Sequence, residues 1–185
     1  MSQWKKKHSV MKHYDLTANI YDTQYAEEQE AKIEAALKNI KIHDHALVLD
    51  VGCGTGLLFK YVANKTQTTV GLDISRKTLI QAKKWAKTLD TIHLLLADAD
   101  HMPFKENLFN YTFAITLLQN MPNPRKTLKE IMRVTNQEAT IVITGLKKIF
   151  PLESFKELLQ SSGLKIDNII DNSLKCHVAI CTNPS

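Results

Sequence analysis

Residues 47–58 read Leu-Val-Leu-Asp-Val-Gly-Cys-Gly-Thr-Gly-Leu-Leu, and this stretch holds the residue types best suited to seat a nucleotide-like ligand. Its apolar, β-branched start is the pattern of a buried parallel strand, and the abrupt change to Gly52, Gly54 and Gly56 predicts a sharp turn into a helix. Glycine tolerates positive φ and lets a ligand approach without a Cβ in the way, while the helix beyond offers unpaired N–H groups. The spacing is G-x-G-x-G. Position 57, where the dinucleotide fingerprint requires a third glycine, is Leu57, which disfavours a nicotinamide oxidoreductase. A second carboxylate, Asp73, closes the run 68–73 and lies 21 residues beyond Gly52, the offset at which doubly wound folds place an acid for ribose hydroxyls.

These groups need a scaffold, and the chain supplies one in order. After a helical stretch at 57–64 comes the second strand, and Ser75 is a good N-cap for a helix over 76–88. A third strand at 92–97 ends in Asp98-Ala99-Asp100-His101-Met102-Pro103-Phe104. A fourth at 111–116 leads into Leu117-Leu118-Gln119-Asn120-Met121-Pro122. Pro122, Asn123 and Pro124 open the next helix, with Leu128, Ile131, Met132 and Val134 facing inward. A fifth strand at 140–144 follows a turn in which Asn136 is expected to take the left-handed position. A helix over 151–162 stops at Gly163, and residues 164–170 and 175–181 read as a closing antiparallel pair. Strands alternating with helices favour a parallel sheet covered on both faces.

The motif with its acid, Asp50 to Gly56, and the three later strand ends resemble the class I S-adenosylmethionine-dependent methyltransferases, in the small type 11-like form. The segments 13–22 and 127–134 are also similar to that family, and the resemblance spans roughly residues 13–182. It implies a Rossmann-like, doubly wound sheet of seven strands, mostly parallel with the last antiparallel, in a single domain over 13–185. In that domain residues 13–45 would form an N-terminal helical lid, preceded by a basic, flexible arm at 1–12. It implies S-adenosylmethionine as cofactor, with S-adenosylhomocysteine as product. Asp50 and the backbone of Gly52, Cys53, Gly54 and Gly56 would hold the methionine portion, and Asp73 the ribose. Ile74 would cover one adenine face, Asp98 with Ala99 would meet its exocyclic edge, and Thr116 would line the pocket beside the sulfur. Tyr14 or Tyr21 would fold over the methyl group.

No catalytic residue is implied. Tyr14, His101 and Asn120 are the candidates nearest an acceptor, with His13 and Asp100 as further proton acceptors. Neither an Asp/Asn-Pro-Pro-Tyr/Phe segment directly after the fourth strand nor a Pro-Cys nucleophile is present, which argues against the amino-methylating enzymes that carry the first and against covalent catalysis. Only residues 145–151 separate the fifth strand from the next helix, so the substrate cap of many small-molecule methyltransferases has no counterpart. That omission points to a large acceptor, tRNA or protein, or to a partner subunit that completes the pocket. The alternatives are a small-molecule methyltransferase and a cofactor-binding, non-catalytic subunit.

The 185 residues carry a net charge of +5 and 44% hydrophobic residues, ordinary values for one globular domain. Lys5, Lys6, Lys7 and Lys12 supply most of the excess, and with Trp4 beside them they are suited to RNA contact as well as to a solvated tail. No apolar run is long enough to span a bilayer, and no signal-peptide core follows the basic start, so a cytoplasmic protein without membrane contact is expected. Three cysteines make no disulfide framework. The spacing of Cys176 and Cys181, and the run His43-Asp44-His45, do not suit a metal, and none is expected.

Overall fold

In the computed structural model of the chain, residues 3–17 and 21–185 are described, with side chains for 3–16 and 25–185. The elements are α1 (Gln3–Thr17), α2 (Tyr21–Leu37), β1 (Leu47–Val51), α3 (Phe59–Val62), β2 (Thr68–Asp73), α4 (Arg76–Ala86), β3 (Ile92–Leu96), β4 (Phe109–Ala114), α5 (Pro124–Val134), β5 (Thr135–Leu146), α6 (Leu152–Ser161), β6 (Lys165–Ile170) and β7 (Cys176–Thr182). The seven strands form one sheet in the order β3-β2-β1-β4-β5-β7-β6. The first five strands run parallel, and β7 lies antiparallel between β5 and β6. This is the doubly wound arrangement expected, and the strand order reverses between β1 and β4, where such sheets open a crevice at their carboxyl ends.

Alternation along the strands sorts the core onto two faces. Leu49, Val51, Ile141 and Ile143 pack under α5 and α6 with Leu128, Ile131, Phe155 and Leu159. Val48, Phe113, Val142 and Val178 pack on the other face against Ile33 and Ala36 of α2 and Leu58 and Val62 around α3. Local signals hold at the helix ends. Ser75 Oγ accepts from Thr78 N at 3.2 Å and caps α4, Asn123 caps α5 with Pro124 in its first turn, and Gly163 takes φ +108 after α6. β5 is longer than expected, beginning at Thr135. The left-handed residue in its bulged start is Glu138 at φ +58, not Asn136. The reason lies at the C-terminus: Asn183 Nδ2 donates to the carbonyls of Met132, Thr135 and Asn136, and Glu138 N donates to Asn183 O, which fixes the segment 135–138 as a strand extension.

The first residues differ most from expectation. Where a solvated arm is predicted over 1–12, the chain from Gln3 forms α1, laid across the carboxyl ends of the strands. Its anchor is Lys7, only 7% exposed. Lys7 Nζ donates to both carboxylate oxygens of Asp98 at 2.6 and 2.7 Å and to Asp100 Oδ2 at 2.5 Å. Asp100 is buried and also accepts from Thr127 Oγ1, so the cluster joins α1 to α5. At the other end of α1, Asp15 accepts from Ser75 Oγ at 2.6 Å.

Removing one partner of a buried ion cluster leaves the other charge uncompensated, at a cost of ~3–5 kcal/mol. Lys7→Met should therefore speed amide exchange in α1 by more than ~100-fold while exchange in β1 and β4 changes little. Unchanged protection in α1, read by hydrogen exchange, would show that Lys7 does not anchor it.

Candidate functional site

A cavity opens where β1, β2, β3 and β4 end, and the glycine turn forms its floor. Gly52 and Gly54 have φ of +75 and +54, and Gly52 N and Cys53 N both donate to Leu72 O, tying the turn to β2. A Cβ built on Gly54 would meet nothing within 4 Å; it would project into the open space of the cavity. That position is a cradle, free for a ligand because it carries no side chain. Gly56 serves packing instead: its Cβ would strike Phe59 at 2.6 Å and Trp85 at 2.9 Å, and it does not line the cavity.

Two carboxylates stand over the turn. Asp73 is the better satisfied: its Oδ2 accepts from Gly54 N at 2.9 Å and its Oδ1 from Ser75 N at 2.7 Å. Burial raises the Asp73 carboxyl, and these backbone N–H groups work against that rise. Asp50 is 4% exposed, and among the described residues its carboxylate has neither a hydrogen-bond donor nor a cation. Burial, and then the neighbouring Asp73 charge, push its carboxyl up to about 8. The cavity thus contains an anion-forming group that lacks a positive partner. Burial, followed by these two charges, also pushes the Cys53 thiol up and keeps it an inert filler of the turn.

Leu72, Ile74, Ala97, Ala99 and Met121 make one end of the cavity an apolar slot. Asp98 borders it, although its oxygens are engaged by Lys7 and by Asp100 N at 2.9 Å. Burial works to raise the Asp98 carboxyl, and the Lys7 ammonium with that N–H outweighs it, holding the group below the usual carboxylate value.

The opposite end is built around Thr116, which lies beyond the end of β4 at φ +61, a costly conformation for a β-branched residue. Thr116 N donates to Thr144 Oγ1 at 2.7 Å, Thr116 Oγ1 donates to Gln29 Oε1 at 2.8 Å, and Lys32 Nζ donates to Thr116 Oγ1 at 3.2 Å. Lys32 is 1% exposed and is balanced by Glu28 at 2.9 Å. Asn120 Nδ2 donates to Tyr14 Oη and to Thr116 O, both at 3.0 Å, so Tyr14 and Asn120 meet across this end.

Of the sequence-derived residues, Asp50, Gly52, Cys53, Gly54, Asp73, Ile74, Asp98, Ala99, Thr116, Tyr14 and Asn120 line one cavity. His101 lies outside it, exposed and 2.7 Å from Lys126 Nζ, and His13 is exposed beside Tyr14. Asp100 is committed to Lys7 and Thr127. The side chain of Tyr21 falls outside the described residues. Sequence reading missed Lys7, Val10, Gln29, Ile33 and Lys32. Lys7, Val10 and Tyr14 recur at i, i+3, i+7, and Gln29 and Ile33 at i, i+4, a one-sided pattern hidden by the surrounding charge.

A model of the family described as "Methyltransferase domain" matches residues 49–143, just over half of the chain. The chain is 28% identical over 165 residues to the uncharacterized protein MJ1252 of Methanocaldococcus jannaschii, covering 89% of this chain and 62% of that protein. It is 30% identical over 132 residues to a demethylmenaquinone methyltransferase of Staphylococcus saprophyticus, covering 70% and 55%. It therefore spans less than two thirds of these relatives. Among solved structures, a chain from a complex between the Haloferax volcanii Trm112 methyltransferase activator and a methyltransferase superposes with a TM-score of 0.83 at 16% identity, covering 93% of this chain and 98% of that one. With the family model across β1 to β5, the glycine cradle inside that span and the seven-stranded order around it, the chain belongs to the Methyltransferase domain family, type 11 of the class I S-adenosylmethionine-dependent fold.

Proposed function

We propose that this chain binds S-adenosylmethionine in the cavity and transfers its methyl group to an acceptor that enters past Tyr14 and Asn120. The observation that carries the reading is Asp50, a buried carboxyl group with no cation beside it among the described residues, in the same cavity as the open cradle at Gly54. A cationic ligand supplies the missing charge, and the apolar slot beside Ile74 and Ala99 suits a flat base. When bound, S-adenosylmethionine supplies an electrophilic methyl carbon: an acceptor lone pair forms the new bond, the C–S pair stays on sulfur as a neutral thioether, and the acceptor's proton leaves to solvent. The protein's own share is alignment and exclusion of water. α1 and α2 cover the cavity through Val10, Tyr14, Gln29 and Ile33, and the Thr116 network fixes the wall beside the reacting end.

A partner subunit belongs to the same reading, favoured by the contrast between the two sheet edges. β6 carries Lys165, Asp167 and Asn168, which discourage strand addition, whereas β3 has no lysine, acid or proline and leaves Leu96 55% exposed. We place there a protein of the activator kind found with the Haloferax volcanii neighbour. No described helix is long and apolar enough to cross a membrane.

Asp50 is largely neutral below about pH 8, and a cation binds its ionised form. Affinity for S-adenosylmethionine should fall as pH drops from about 8 to 6, by up to ~10-fold per unit, with proton uptake by buffer on binding at pH 7. Asp50→Asn should weaken binding ~10-fold or more at pH 9 and flatten the profile. Calorimetry in two buffers checks both; a pH-independent wild type would sink the assignment. Labelled methyl from the cofactor should enter the RNA, protein or small-molecule fraction of an extract. No incorporation beside intact binding would favour the non-catalytic subunit. Co-expressed with an activator of that kind, the wild type should co-elute with it and Leu96→Lys should not; co-elution of the variant would reject the β3 placement.

A further inference from the structure

The positive charge of this protein is concentrated on two adjacent helices. α1, α4 and Lys87 just beyond α4 carry nine of the 24 lysines and arginines and one of the 19 acids, Asp15, so the rest of the chain is net negative at −3. Elsewhere the cations are interspersed with acids and several close onto them, among them Lys60 on Glu30, Arg133 on Glu130, Lys147 on Asp171 and Lys175 on Glu28. Lys7 is likewise held by Asp98 and Asp100. On α1 and α4 no acid but Asp15 is interspersed: Lys12, Arg76, Lys77, Lys83 and Lys87 are exposed, and among the described residues none is paired with a carboxylate.

Geometry gathers these charges beside the cavity. Asp15 joins the two helices by accepting from Ser75 Oγ and, at 3.3 Å, from Lys77 N. Both helices border the cavity, α1 through Lys7, Val10 and Tyr14 and α4 through Thr78. Arg76, Ile80, Lys83 and Lys87 recur at i, i+4, i+7 and i+11, a single stripe along α4 with Ile80 57% exposed. Arg76 and Lys83 are two turns apart, about 10 Å along the axis. In the first turn of α1, Trp4 is 60% exposed. Like charges held this close repel one another, and a polyanion relieves that repulsion by releasing its own counterions. An exposed indole among lysines adds what a phosphate backbone alone does not use, a flat face on which a base stacks.

We propose that the α1–α4 face docks RNA, which makes an RNA nucleotide the acceptor class presented at the adjoining cavity. This deepens the methyl-transfer reading and rests on it. The charge supports a polyanion, and Trp4 favours RNA over an acidic protein.

The test measures anisotropy of a fluorescein-labelled, unmodified tRNA transcript from about 50 to 200 mM salt, with polyglutamate as the acidic-polypeptide competitor. Arg76→Glu/Lys83→Glu/Lys87→Glu should weaken RNA binding at least ~10-fold and make the log–log salt dependence shallower by about 2. Trp4→Ala should weaken it about 5- to 100-fold. Neither variant should change S-adenosylmethionine affinity or the melting temperature. RNA binding by the triple variant equal to that of wild type would overturn the proposal. So would equal competition by polyglutamate together with an inert Trp4→Ala, the result expected of an acidic-protein face. A wild type that binds the cofactor and no RNA defeats the docking face alone; one that binds RNA and no cofactor defeats the cavity reading and leaves the face standing.

Discussion

The cavity is organised around a carboxyl group, that of Asp50, kept from water and, among the described residues, without a cation beside it. Burying an isolated charge is expensive, and Asp50 responds as physics requires, its carboxyl pushed up to about 8 by burial and by Asp73. Stability alone would favour an apolar residue at the end of β1, where Val48, Leu49 and Val51 are fully buried. The glycine turn below it makes the same statement in backbone terms. Gly54 holds positive φ above open space, so neither packing nor a side chain gains from its conformation. Both costs make sense together when a positively charged, closely approaching ligand offsets them.

Asp73 shows how such a site is kept in order. It does not simply wait for a ligand; it accepts from Gly54 N and Ser75 N and so locks the glycine turn to the start of α4. The same carboxylate can hold the floor in shape and face the cavity, because each oxygen has a second lone pair. At the other end of the cavity the equivalent task falls to the groups around Thr116, whose backbone N–H is held by Thr144 and whose side chain is held by Gln29 and the buried Lys32. Strain of roughly 1–3 kcal/mol persists only where its surroundings over-determine it.

How much was legible follows from the range of the interactions. The alternation of strands and helices and the residues at the ends of β1 to β4 were readable because they rest on local signals and on the resemblance these carry: apolar runs, alternating glycines, the N-cap at Ser75 and the Pro122-Asn123-Pro124 helix opening. What could not be read rests on partners distant in sequence. Lys7 looks like one lysine among several in a basic tail; only its 91-residue reach to Asp98 turns that tail into a helix anchored at its middle. Lys32 and Thr116, 84 residues apart, are a second case, and Asn183 with the start of β5 a third. Propensity at Asn136 pointed to a left-handed turn, and the side-chain amide of Asn183 overrode it.

The Lys7 cluster also connects the cavity to the outer surface. α1 has an apolar and aromatic inner side, Val10 and Tyr14, directed at the cavity, and an outer side with exposed Lys5 and Lys12, while Lys6 Nζ donates to Met121 O at 3.1 Å. One ammonium, that of Lys7, is drawn into an acidic cluster on a helix with a single acid of its own, Asp15, itself used to hold α4. An anion bound outside therefore acts on the same rigid element that walls the cavity, and a ligand at Asp98 competes for the oxygens that fasten that element. Because Asp98 accepts from Lys7 and from Asp100 N at once, loosening α1 and rearranging the apolar slot are not independent events. Coupling of this kind needs no second conformation of the sheet; it needs only that α1 be held by a few strong contacts rather than by a broad apolar face, and that is how it is held.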